Sequence, residues 1–182
     1  VIDFSPFLAA LRSWVAAASG LAESAVLIEN EPRPRVPPVW FELRIDRSIP
    51  EGSDRLYLAT VDAETVEAVT GVRLLEVVIA CDSFSQSPNL IALGFVEAVR
   101  ARGLFGNKAK ILRDACAAVV DFGEVVNADY QVDDRWISRF ELRTRIRWTF
   151  DAKGAVPGDV ASWIAETEIR GRFPPAHPEV NP

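Results

Sequence analysis

Residues Ser138–Phe150 read SRFELRTRIRWTF. Phe140, Leu142, Ile146, Trp148 and Phe150 fall on one parity, with Thr144 their only polar member, while Arg139, Glu141, Arg143, Arg145, Arg147 and Thr149 fill the other. Side chains of a strand alternate between its two faces, whereas a helix would scatter these residues around its axis. The stretch is therefore one long strand with an apolar face and an arginine face. Four guanidinium groups on neighbouring same-face positions repel one another unless acids or a partner answer them. Two readings stay open: a solvated face with cross-strand Glu and Asp partners, or a face built to meet another subunit or an acidic surface.

The apolar parity anchors a sheet against helices, and the flanking sequence supplies both. Ser5-Pro6 reads as the start of a helix, with Ser5 as N-cap, an apolar stripe of Phe7, Leu8, Leu11, Trp14, Val15 and Ala18, and Gly20 as the stop. Ser87-Pro88 repeats that punctuation, with Ile91, Phe95, Ala98 and Val99 on the stripe and Gly103 closing it. Residues Lys108–Ala117 read as a short third helix with Ile111, Leu112 and Ala115 inward.

Period two governs the rest. Strands are expected at Ala25–Ile28, from Val39 through Asp46 with Val39, Phe41, Leu43 and Ile45 inward, at Leu56–Ala59, at Val72–Ala80 as a central strand buried on both faces, and at Val119–Val126 with a bulge at Gly123. Residues Glu31–Pro38, EPRPRVPP, cannot be helix or central strand, because four prolines remove donors and fix the backbone extended. Ile49–Asp54 reads as a turn, Asp62–Val69 as a short helix or irregular crossing, and Asn127–Asp134 as a polar loop. A turn at Lys153–Gly158 and a last strand near Trp163–Ile169 follow. The fold class is α+β: a mixed, largely antiparallel sheet packed against two long amphipathic helices and one short helix. Residues 1–172 form one domain, and the proline-rich 173–182 a loose tail.

The 182 residues suffice to bury roughly 70% of the unfolded surface in one core. No apolar run approaches the ~20 residues that span a bilayer, so no membrane partner is expected. The N-terminus lacks the basic start and cleavage site of a signal peptide, which points to an intracellular protein, and Val1 in a chain without methionine reads as a missing initiator. Net charge is −6, which argues against general nucleic-acid binding. Three of the 20 basic residues are lysines, leaving 17 arginines, a bias that codon usage in a GC-rich genome produces. Cys81 and Cys116 sit at no metal spacing and read as two buried free thiols.

Chemistry is sparse. The single histidine, His177, lies in the tail, so a Ser-His or Cys-His arrangement is excluded. Zinc lacks ligands, and no GxGxxG or GxxxxGK[ST] pattern occurs. Asp129, Asp133 and Asp134 cluster in one loop, and Glu166 with Glu168 share a strand face. Carboxylates can hold calcium or magnesium or run acid–base chemistry, but 26 acids make such pairs frequent by chance. Glu166 and Glu168 read instead as the acids that answer Arg143 or Arg145. Cys81, ahead of a loop Asp82–Ser85, has no base to activate it. Neither catalysis nor a cofactor is expected, which leaves an assembly or binding role.

The order of features resembles phage neck or tail terminator proteins. It is carried by an N-terminal helix, then Glu29-Asn30-Glu31-Pro32-Arg33-Pro34 leading through Pro37-Pro38 into a strand, and a Val72–Ala80 strand followed by a long helix. Val119–Val126 with Asp121, Gly123 and Glu124 comes next, then Asp134-Arg135-Trp136 with Arg139 opening the long strand, and Trp163-Ile164-Ala165-Glu166 in the last. The resemblance runs from Phe4 to Gly171. It departs at Trp40, where the aromatic expected right after the second proline is displaced, and at Asn127–Asp134, which is more acidic and less leucine-rich than expected.

The resemblance implies an α+β subunit of a homohexameric ring in the virion, assembled in the host cytoplasm. Such a ring caps the head-proximal end of a phage tail, stops tube growth and joins tail to head. Its partners would be itself, the tail tube or sheath protein and a head-neck adaptor, with genomic DNA sliding through unbound. Arg139, Arg143, Arg145, Arg147, Glu166, Glu168, Arg33 and Arg35 would be the subunit or partner contacts. Alternatives are a head-completion adaptor or sheath-end protein of the same particle, a carboxylate-based metal-dependent hydrolase, and a peptide-binding partnership in which EPRPRVPP is the ligand.

Overall fold

The computed structural model describes residues 2–29, 31, 37–61, 64–84, 90–132 and 134–153. In chain order they form α1 (Ser5–Ser19), β1 (Val26–Ile28), β2 (Val39–Pro50), β3 (Arg55–Val61), β4 (Glu64–Phe84), α2 (Leu90–Arg102), α3 (Gly106–Asp114), β5 (Ala117–Asn127), β6 (Tyr130–Val132) and β7 (Arg135–Lys153). The fold mixes α and β, with a mostly antiparallel sheet in which β1 and β2 are a parallel pair.

These elements divide into two compact units. One holds Ile2–Asp54 and Gly71–Phe150, and its sheet runs β1-β2-β4-β7-β5 with β6 beside β7. The other takes Arg55–Thr70 together with residues 151–153, and its ladder pairs β3 with Glu64–Thr70, Arg55 opposite Thr70 and Val61 opposite Glu64. Within that second unit Tyr57 donates a hydrogen bond to Asp151, which raises the phenol's pKa above its ordinary value.

The long strand has the two faces its sequence spells. From Leu142 to Phe150 burial alternates without a break: Leu142, Thr144, Ile146, Trp148 and Phe150 are buried, and Arg143, Arg145, Arg147 and Thr149 are exposed. Thr144 sits on the buried face because its hydroxyl donates to the Asp121 carbonyl at 2.7 Å, which removes the desolvation penalty of a lone polar group.

Trp148 receives α1. The rings of Phe4 and Phe7 lie 5.2 and 5.5 Å from its ring, and Phe150 lies 5.8 Å away on the same strand face. Phe7, Leu11, Trp14, Val15 and Ala18 are buried along one stripe of α1. Trp14 stacks on Phe122 of β5 and donates its indole N–H to the Gly103 carbonyl at 2.9 Å, tying α1 to the end of α2. Gly20 ends α1 at φ +86°, where its N–H reaches the Ala16 carbonyl.

Several expectations are corrected. Ser5 opens α1 rather than capping it; the Asp3 carboxylate two residues ahead accepts its N–H at 2.9 Å, and Phe4 takes the cap position. On α2 the buried residues are Ala92, Val96 and Val99, with Ile91 exposed and Phe95 and Ala98 half-buried. The buried stripe is thus Ala92, Val96 and Val99, at i, i+4 and i+7, turned by one position from the stripe through Ile91, Phe95 and Ala98. The third helix runs Gly106–Asp114, and Cys116 at φ +55° breaks it so that Ala117 can open β5. Cys116 is exposed, and Cys81 alone is buried.

Other corrections concern strands. β2 continues through Ile49 and Pro50, because the Arg47–Pro50 backbone keeps pairing with Arg73–Glu76 beyond a bulge after Ile45. Residues from Glu64 to Val69 form the start of β4, neither helix nor irregular crossing. β4 extends through Asp82 and Ser83 to Phe84, so Cys81 and Asp82 lie in the ladder opposite Phe41 and Trp40 rather than ahead of a loop. Trp40 is buried on the face read as polar, against Phe84 at 5.0 Å. The polar segment after Asn127 holds β6, paired with the start of β7. β5 slips register between Val119 and Asp121 and again between Phe122 and Val125, around the expected Gly123. Lys153, expected to open a turn, ends β7; the rest of that turn, the Ser87-Pro88 cap, most of EPRPRVPP, the strand Trp163–Ile169, and the tail lie outside the described residues.

Candidate functional site

The arginine parity of β7 carries four of the expected contact residues, and the geometry sorts their guanidinium groups into three kinds. All lie on the sheet face away from Leu142, Ile146 and Trp148, with Glu42, Arg44, Glu76 and Asp82 of β2 and β4 on the same side by register.

Arg139 is a fixture of the sheet. Its Nε donates to Asp82 Oδ1 at 2.8 Å and one terminal nitrogen to Asp82 Oδ2 at 2.7 Å, the paired geometry that suits a guanidinium to a carboxylate. That same nitrogen also donates to Glu42 Oε2 at 2.5 Å, and Glu141 stands 3.9 Å from the other. Its guanidinium lies 5.0 Å from the ring centre of Tyr130 on β6. The hydrogen bonds that Arg139 donates to Asp82 raise its pKa, so the charge is permanent. Asp82 is fully buried and the Arg139 side chain only 18% exposed, so this group holds β2, β4, β6 and β7 together.

Arg145 and Arg147 are answered at the surface. Arg145 pairs with Asp121, its register partner on β5, through Nε at 3.0 and 3.1 Å and through a terminal nitrogen, which lowers the Asp121 pKa. Arg147 donates to both oxygens of Glu51, at 2.6 and 3.1 Å, and lowers that carboxyl likewise. Both pairs are well exposed.

Arg143 differs. Among the described residues no acid stands within ion-pair distance of it. It borders an open groove of about 260 Å³ with Asp46, Glu76, Val78, Asp121 and Gly123. Gly123 keeps one wall low: a Cβ there would meet the Arg143 carbonyl oxygen at 3.0 Å. On the opposite face of the sheet a wider depression of about 650 Å³ opens between α2 and β5, floored by Leu93, Phe122, Val125 and Phe140 and rimmed by Glu97 and Arg100.

No protein-family model and no curated protein matches this chain.

Of the expected contact residues, β7 therefore gathers Arg139, Arg143, Arg145 and Arg147 on one face. Glu166, Glu168, Arg33 and Arg35 lie outside the described residues. Sequence reading missed Asp82, Glu42, Asp121 and Glu51 as the acids that answer the arginines. Glu42 was visible on the polar parity of its strand, but strand adjacency, which brings β4 and β2 to Arg139, has no local signal. In the acidic segment, Asp129 is a backbone organiser: its Oδ1 accepts from the Arg139 N–H at 2.8 Å and the Ser138 hydroxyl at 3.1 Å. Among the described residues no three His, Cys, Asp or Glu side chains are grouped so as to hold a metal ion.

Proposed function

We propose that the chain is a structural subunit of a homohexameric ring at the head-proximal end of a phage tail, where it stops tube growth and joins the tail to the head. The observation that carries this reading is the order of sequence features from Phe4 to Gly171, which follows that of phage neck and tail terminator proteins. In this reading α1 and α2 are the family's two long amphipathic helices and α3 the short one. The role is non-enzymatic and needs no cofactor. Its partners are other copies of the chain, the tube or sheath protein, and a head-neck adaptor, and its place is the virion. A net charge of −6 suits a ring through which DNA slides without being gripped.

The contact surface narrows on physical grounds. A guanidinium already held by two carboxylates has little left to offer a neighbour, so Arg139 serves the fold. Arg143, with no acid partner among the described residues, is the arginine of the strand best placed to meet a carboxylate across a subunit boundary, and Arg145 and Arg147 could exchange their acids there. Arg33, Arg35, Glu166 and Glu168 complete the proposed contact set.

The test is ring assembly and tail joining by Arg143→Glu beside Arg145→Glu. Loss of both activities in Arg143→Glu, with the monomer still folded, supports the contact. Unchanged assembly in both variants removes the arginine face from the interface.

A further inference from the structure

Among the described residues, β1, β3, β5 and β6 are each paired on one side only. An unpaired edge invites another strand, and folded chains block it by shortness, bulges, charges or capping groups. β1 is closed: the outward N–H of Val26 goes to the Glu23 carbonyl and that of Ile28 to the Glu31 carboxylate at 3.0 Å, while the Ile28 carbonyl receives the Glu31 N–H at 3.0 Å. β5 carries two register shifts with Asp121 and Glu124 around them. β6 has three residues.

Among the described residues β3 shows no bulge and no capping group, and its one charge, Arg55, stands at its first position. It pairs with β4 in unbroken register over all seven residues, and Leu56–Val61, LYLATV, contains no charge, proline or glycine. Leu56 is 42% and Leu58 71% exposed, both on the same face of the strand. A two-stranded ribbon is marginal by itself, and a third strand is what ordinarily stabilises it.

We propose that β3 pairs antiparallel with β3 of a second copy of this chain, extending each two-stranded ribbon into a four-stranded sheet across a two-fold axis. The strand is self-complementary in that arrangement. With the axis at Leu58, Leu58 faces its own counterpart, Leu56 faces Thr60, and Tyr57 faces Ala59, so each face matches apolar or neutral groups. The single charged residue, Arg55, falls opposite Val61 and never opposite itself. The contact is small, so the dimer is a weak one that forms with concentration. It goes beyond the ring reading, since a two-fold contact is distinct from the head-to-tail contacts of a ring.

Sedimentation velocity over a concentration series, with far-UV circular dichroism as the folding control, tests it. Wild type should gain mass in steps of two, and Leu58→Lys and Leu58→Glu should each lose that step, because like charges then face each other. An equimolar mixture of the two variants should restore it. In a Cys116→Ser background, oxidised Leu58→Cys should give one disulfide-linked dimer. A Leu58→Lys variant that associates as wild type does, or a mixture that stays apart, overturns the proposal, as does a monomeric wild type whose Leu58→Cys form yields no linked dimer. A hexamer whose mass is untouched by Leu58→Lys overturns it while leaving the ring reading standing. A dimer abolished by Leu58→Lys, with no larger species, does the reverse in solution.

Discussion

Arg139 on β7 and Asp82 on β4 share two parallel hydrogen bonds, at 2.8 and 2.7 Å, with the aspartate wholly shielded from water. Breaking a buried pair by removing one partner leaves an uncompensated charge and costs about 3–5 kcal/mol. Arg139→Ala should therefore lower the urea midpoint strongly, and Arg139→Lys should not rescue it, since a point charge cannot make the paired bond. Arg145→Ala and Arg147→Ala remove exposed, solvent-screened pairs and should each leave the urea midpoint close to that of wild type. Equal effects at the three positions would refute this sorting of the arginine face.

Trp14 and Gly103 make a second sensitive contact. A Cβ on Gly103 would stand 2.5 Å from the Trp14 ring and 2.7 Å from the Val99 carbonyl oxygen, with backbone on one side unable to yield. Gly103→Ala should lower thermal stability, and Trp14→Ala, which empties a fully buried site, should cost about 3–5 kcal/mol. A neutral Gly103→Ala would mean that α1 and α2 can separate freely.

Glu31 links pH to the β1 edge. The Ile28 N–H, and then Arg12, hold its carboxyl below the ordinary value of 4.5. A carboxyl lowered in the folded state contributes stability that is fully present above its unfolded value and is lost as pH falls through the folded one. Glu31→Gln should thus reduce the melting temperature at pH 7, and the difference from wild type should shrink below about pH 4.5. A difference that is constant from pH 7 to pH 3 would contradict the assignment.

The two thiols should separate kinetically. Cys116 is exposed at the start of β5, whereas burial, then the neighbouring Asp82 charge, pushes the Cys81 thiol up and out of reach. A thiol reagent should modify Cys116 quickly in the native protein and Cys81 only on unfolding. Equal rates in native buffer would argue against the buried ladder position of Cys81.

What the sequence made legible follows range of interaction. The alternation of Ser138–Phe150 and the stripe of α1 are local patterns set by one element's own periodicity; the first holds from Leu142 to Phe150, with Arg139, Phe140 and Glu141 all half-buried, and the second holds except at Leu8, which is half-buried. The faces of α2 and the burial of Trp40 depend on which neighbour packs there, so parity alone misassigns Ile91 and Trp40. β3 and the Glu64–Thr70 part of β4 support each other as a ladder, while neither has a strong pattern alone. The same logic governs the candidate site. Four arginines on one face could be read directly, but Asp82 lies 57 residues from Arg139, and their meeting rests on strand order.

The ring reading meets its most direct test on tails that lack heads. Isolated headless tails, labelled with an antibody against this chain and viewed by electron microscopy, should carry label at one end only, the head-proximal end, over a closed sixfold ring. Label spread along the tube, or tails of normal length that lack the protein, would contradict a terminator.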